Sequence, residues 1–245
     1  MDISGILNEW DYDPENSVRI ITADDGRSVL QVRQPMGIEQ YELDGRPDGR
    51  ESFGHATVLE EVEARLSAWV SEHGSDDGFM IGREDAARLQ GEGVMFYYRY
   101  YLLFQLNDFP RVARDTSHNL RLCDLMDRYC EHEEDRISVL QYRPYILRMH
   151  AMALSMEAVQ QNLVEQAVST LERAIDEIEE LEDIPTPPFQ FERPRSASYL
   201  RAALEQVREN YAGPREKLEQ ELETALGEEN YERAAEIRDR LKELE

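Results

Sequence analysis

Side chains able to carry chemistry are plentiful in this chain, but few stand at spacings that let them cooperate. Glu131-His132-Glu133-Glu134 offers donors in an unbroken row. Adjacent helical residues point in different directions, so the run reads as a solvated helix end rather than a metal site. His118 and Cys123 lie off the three- and four-residue steps that bring a base onto a nucleophile. Cys123 and Cys130 are two helical turns apart, roughly 10 Å and beyond disulfide reach, and are expected as reduced, buried thiols. No phosphate-cradling Gly-x4-Gly-Lys-Ser/Thr loop, dinucleotide fingerprint or Cys-x2-Cys pair occurs. No two carboxylates are set apart as an acid–base couple. The expectation is no catalytic residue, no metal and no cofactor. One tight loop, Asp44-Gly45-Arg46-Pro47-Asp48-Gly49, could hold a ligand through Arg46 and Asp48. Its proline fixes a dihedral and its glycines permit positive φ, so a self-satisfied Arg–Asp turn is the first reading. An enzyme built on Gly45–Gly49 is the alternative.

The elements that position these residues follow from pattern. Val18–Thr22 and Ser28–Arg33 are β-branched runs joined through Asp25-Gly26, a hairpin turn, and Ile38–Leu43 supplies a third strand. Leu30 and Val32 alternate with Gln31 and Arg33, as in a half-buried strand. Thr57-Val58-Leu59-Glu60 fits a capping box, after which Leu59, Val62, Leu66 and Trp69 share a helical face. A long helix from about Glu84 to Leu106 carries Ala86, Leu89, Gly93, Phe96, Tyr97, Tyr100, Leu103 and Phe104 at the helical period, with Tyr98 and Tyr101 beside them. These tyrosines are read as core filling rather than as a base-stacking surface, because basic residues flank them sparsely. Asn107-Asp108-Phe109-Pro110 turns the chain into a second helix reaching about Cys130. Pro144 opens a third, and Asn162 with Glu165 is expected to cap a fourth. Leu154, Ser155, Ala158, Ala167, Leu171 and Ala174 resemble the apolar and small positions of a tetratricopeptide repeat. Ile184 to Arg195, with four prolines, is read as an extended linker, and Ser196 as the cap of a connecting helix.

Composition narrows the function classes. The 245 residues carry 52 acidic against 27 basic side chains, a net charge of −25. Such a single-sign field repels phosphate backbones, so direct nucleic-acid binding is not expected. No apolar run reaches membrane-spanning length and no N-terminal apolar leader is visible, so a cytoplasmic protein is expected, bacterial in style.

The last thirty residues read as two short amphipathic helices folded into a hairpin. Leu218, Leu222, Ala225 and Leu226 stripe the first. Gly227 is placed to end it in a left-handed conformation, and Asn230 to cap the next. Tyr231, Ala234, Ala235, Ile237, Arg238, Leu241 and Leu244 repeat the stripe. So small a unit is expected to leave apolar surface for a partner. The stretch resembles the UVR motif of bacterial excinuclease subunits B and C, some Clp ATPases and the activator of the protein-arginine kinase. Tyr231-Glu232 takes the motif's Phe-Glu, Ala234-Ala235 its second Ala pair and Arg238-Asp239 its Arg-Asp, and Leu241 and Leu244 follow at the right steps. Leu222 stands at its Met and Leu226 at its second small position. Asp44 to Gly49, with the strand before it, resembles the loop of an uncharacterised bacterial family in which a β-rich segment precedes a helical region and a terminal UVR motif.

The expected architecture is α+β and mainly α. It comprises a β-rich segment with one helix (1–74), a helical bundle of repeat-like hairpins (79–183), a Pro-rich linker (184–195), a connecting helix (196–213) and the hairpin (214–245). The expected role is a non-enzymatic protein–protein adaptor or scaffold. Leu218, Leu222, Tyr231, Glu232, Ala235, Ile237, Arg238, Asp239, Leu241 and Leu244 would dock another protein or a second copy. Alternatives are an accessory factor of nucleotide excision repair and a regulator of a Clp-type ATPase.

Overall fold

The computed structural model describes residues 2–211, 218, 222, 224–227 and 230–242. Its elements in chain order are α1 (Ser4–Asn8), β1 (Val18–Thr22), β2 (Ser28–Gln34), β3 (Gly37–Glu42), α2 (Val58–His73), α3 (Arg83–Gln105), α4 (Phe109–Tyr129), α5 (Glu133–Leu140), α6 (Arg143–Gln160), α7 (Val164–Glu180), α8 (Pro187–Tyr211) and α9 (Tyr231–Lys242). The chain is thus mainly α, with one small sheet.

That sheet is an antiparallel meander in the order β1-β2-β3, with Leu30 opposite Ile20 on one side and Tyr41 on the other. Gly26 supplies the positive φ that the first turn needs. A lone meander cannot bury both faces, and here Leu30, Val32 and Leu43 pack on Tyr100, Leu103, Phe109, Val112, Met149 and Ala153 of α3, α4 and α6. Arg33, expected on a wet face, is buried: its Nε donates to the Trp10 carbonyl at 2.7 Å because the N-terminal segment lies over that side.

The helices pack in series, α3 on α4, α4 on α6, α6 on α7, α7 on α8, with α8 returning against α6. One core joins α2, α3, α4 and α5 through Leu59, Val62, Leu89, Leu122, Met126 and Val139; a second joins α6, α7 and α8 through Leu147, Leu171, Ile178 and Leu200. Local signals set the helix ends. The Thr57 hydroxyl accepts from Glu60 N at 3.1 Å, Asp108 caps α4, and Pro144 sits in the first turn of α6, where its missing N–H costs nothing.

Four expectations are corrected. The prolines after Ile184 do not make an extended linker. Pro187 and Pro188 begin α8, the helix runs through Pro194, and Phe189 and Ile184 enter the first core. Proline is tolerated in a first turn, and burial of Phe189, Ala197 and Leu200 offsets the hydrogen bond lost at Pro194. Ser196, expected as a cap, is therefore a fully buried residue inside α8. Asn162 does not cap α7 either. It takes φ 64° just past the end of α6, and Leu163 precedes α7 with no side-chain cap. Of the α3 tyrosines, Tyr100 alone is in the core; Tyr97, Tyr98 and Tyr101 are exposed.

Candidate functional site

The C-terminal hairpin is built on a seam of small and aliphatic residues. Leu218, Ala225, Ala234 and Ile237 are buried together, with Leu222 and Leu241 half-buried against them. Alanine at the centre of the seam lets two helices approach closely enough to close it without large side chains. The turn is set by the main chain: Asn230 N donates to the Ala225 carbonyl at 2.8 Å, and Asn230 Oδ1 accepts from Arg233 N at 3.2 Å, capping α9. Gly227 keeps a right-handed helical turn, so the left-handed ending expected at that residue is not there.

This geometry divides the residues expected to meet a partner. Leu218 and Ile237 face inward, and Leu222 and Leu241 are half-covered, so the seam serves the hairpin itself. Leu244 lies outside the described residues. Tyr231, Glu232, Ala235, Arg238 and Asp239 are exposed. Tyr231, Ala235 and Arg238 follow the four- and three-residue steps of one helical face, beside the seam rather than on it. Tyr231 is 68% exposed and Leu226 is 44% exposed.

The loop from Asp44 to Gly49 is bolted to the body from both sides. Gly45 and Gly49 have φ 63° and 70°, and Glu42 N donates to the Pro47 carbonyl at 2.9 Å. Arg46 donates through Nε and Nη2 to both oxygens of Asp48, each at 2.9 Å, so the two charges satisfy one another. Beneath the loop, Arg99 of α3 is wholly buried. It makes a two-pronged contact with Asp115 at 2.6 and 2.8 Å and donates to the Glu42 and Gly45 carbonyls at 2.8 and 2.9 Å. Arg114 adds bonds to the Leu43 carbonyl at 2.5 Å and to Asp44 at 2.7 Å.

Next to this pair Glu92 is 1% exposed, and its two oxygens accept from Val58 N at 2.7 Å and Leu59 N at 3.0 Å. A carboxylate from α3 thus occupies the place at the start of α2 where a free anion would otherwise sit. His118 Nε2 lies 3.2 Å from the same carboxylate, off the axis of a hydrogen bond, with its ring stacked on Phe96. Arg46 Nε is 4.0 Å away. At the outer edge Glu61 pairs with Arg88 and accepts from Ser52 Oγ at 2.8 Å; burial alone would raise its pKa, but these partners hold it below the ordinary glutamate value. Apart from His118 Nε2, which is buried without a hydrogen bond, the strong donors and acceptors described here are matched by other protein groups, and several of them hold main-chain atoms in place. The Cys123 thiol, pushed up to about 12 by burial, is no nucleophile. Among the described residues no three His, Cys, Asp or Glu side chains converge on a metal position.

Sequence reasoning missed Glu92, Arg99 and Asp115. A signal was present: 92, 96, 99 and 103 continue the buried stripe of α3, so two charged residues stand where apolar ones are expected.

Against known proteins, residues 215–245 match the family model described as the UvrB/uvrC motif. No curated protein and no solved structure matches the chain at a significant level. The match covers the hairpin alone, so it bears on that module and not on the body. No helix among the described residues is long and apolar enough to cross a membrane.

Proposed function

We propose that this chain is a non-enzymatic adaptor whose hairpin binds another protein through the strip Leu226, Tyr231, Ala235 and Arg238, flanked by Glu232 and Asp239. The observation that carries the reading is the 68% exposure of Tyr231 on a hairpin whose inner seam is already closed, in the segment that matches the UvrB/uvrC motif. An aromatic ring and an arginine two turns apart on one face of a small helix are residue types enriched at interface centres. Charges of both signs alternate along α9, which suits antiparallel pairing with an equivalent hairpin and sets orientation more than affinity. The partner is a second copy of this chain or another protein bearing such a hairpin, an excinuclease subunit or a Clp-type ATPase. The net charge of −25 favours contact with a repair complex through protein rather than DNA. Tetratricopeptide-like packing of α3–α4 and α6–α7 would make the body a second surface.

The test is sedimentation of the full chain across concentrations, alone and with a purified excinuclease subunit. The double variant Tyr231→Ala/Arg238→Glu runs beside it. Association weakened at least tenfold in the variant, with unchanged helicity, is the expected result. Equal association of both proteins, or none in either arm, would sink the reading.

A further inference from the structure

A cleft of about 540 Å³ opens between α3, α4, α5, α6 and α8, on residues used neither by the hairpin nor by the charge network under the loop. That size suits a small organic molecule. Its floor is buried: Tyr100, Asn119, Leu122, Cys123, Val139 and Ile146. Its rim carries the exposed rings of Tyr97, Tyr98, Tyr142 and Phe191. Tyr145 stands beside Tyr97 at 5.8 Å between ring centres.

The polar groups of the floor define what can enter. Asn119 is 5% exposed, and its Nδ2 donates to the Gly93 carbonyl at 3.0 Å. Because that carbonyl can only accept, the amide's orientation is settled and its other end is an acceptor. This Oδ1 is buried without a hydrogen bond, although the Tyr100 hydroxyl pairs with the same side chain. A buried acceptor left bare costs free energy that a donor entering the cleft would recover. No lysine, arginine or histidine lines the cleft, and the lining carries one carboxylate, Glu192. Glu192 is shared with Arg195 at 3.2 Å and Arg148 at 3.8 Å, outside the lining. Arg148 in turn lies over the Tyr145 ring, 4.8 Å from its centre, so that one ring already holds a cation on its face.

An acceptor without a partner, electron-rich ring faces and no cation among the lining residues fit one ligand chemistry. We propose that this cleft binds a small organic ammonium, its N–H donated to Asn119 Oδ1 and its body held among Tyr97, Tyr98, Tyr142 and Phe191. The acidity of the whole chain draws such a cation toward it.

The experiment uses the full chain and three probes of matched shape: phenethylammonium, 2-phenylethanol and 3-phenylpropionate. Binding is read by calorimetry and by saturation-transfer NMR at neutral pH. The ammonium should bind at least tenfold more tightly than the alcohol, with the carboxylate weakest. Asn119→Leu should cost the ammonium tenfold or more and narrow its advantage over the alcohol. Should Asn119→Leu fail to fold, Gly93→Leu decides. A Cβ at Gly93 meets only ordinary contacts at 3.5 Å to Leu122 and 3.7 Å to Asn119 Oδ1, so its side chain would fill the cleft and abolish binding. Equal binding of ammonium and alcohol, preference for the carboxylate, no binding of the ammonium at millimolar concentration, or retention of binding in the deciding variant would each overturn the assignment.

Discussion

The body and the hairpin bury themselves in opposite ways. Under the Asp44–Gly49 loop the body encloses charge, with Arg99 and Asp115 both fully buried and Glu92 nearly so. Each of these charges is matched by a partner 33 or more residues away or on a neighbouring helix. Among the described residues of the hairpin, two alanines, a leucine and an isoleucine form the buried seam. The body encloses a core large enough to be stable alone, whereas the described seam of the hairpin is small to set against the entropy of ordering its chain. The difference teaches that surface left outside the hairpin matters more to its stability than the same surface would on the body.

The largest effect should come from splitting the buried pair. Arg99→Leu leaves Asp115 with Arg114 as its remaining guanidinium and strips two loop carbonyls, and should cost about 3–5 kcal/mol by urea unfolding. Arg99→Leu/Asp115→Leu should restore a large part of that. A loss under 1 kcal/mol in the single variant would mean the body does not rely on its enclosed charges. In the hairpin, Ile237→Ala should cost on the order of 3 kcal/mol locally, melting the seam while the body's unfolding midpoint stays in place. Hydrogen exchange at α9 against α6 would show it, and a matching loss at α6 would erase the contrast between the regions.

The smallest effect is one of pH. His150 sits 2.9 Å from Thr116 Oγ1, and burial, opposed by a contact with the Ala113 backbone, holds its pKa below the ordinary histidine value. The folded body thus keeps it neutral. Its contribution is whole above the unfolded pKa of about 6.5 and shrinks as pH falls, because the unfolded chain takes the proton first. His150→Gln should flatten the decline in body stability between about pH 7 and pH 5. An unchanged slope would put the acid sensitivity elsewhere.

What was legible in the sequence was local. The Asp25-Gly26 turn, the Thr57 cap, the Asn107–Asp108 break and the Asn230 cap each depend on residues within a few positions of one another, and each stands where the pattern puts it. The Arg46–Asp48 pair was legible for the same reason. Long-range effects hid the rest. Proline pairs mark helix starts as well as linkers, and only the burial of Phe189 decides between them at Pro187. Counting apolar residues conceals a charged one in the stripe, so Glu92 and Arg99 passed unnoticed. In the hairpin the helical period found the seam but not which side of it would be spent inside. The aromatic cleft draws on five helices and has no signature in any one of them.

The Glu92 contact also orders events during synthesis. Amides at 58 and 59 cannot be capped until the ribosome has delivered a residue more than thirty positions downstream. The Glu42 and Gly45 carbonyls wait longer, for a guanidinium 57 and 54 residues on. The start of α2 and the Asp44–Gly49 loop therefore reach their final hydrogen bonding only once α3 has been made, whereas the β1-β2-β3 ladders need nothing beyond residue 42.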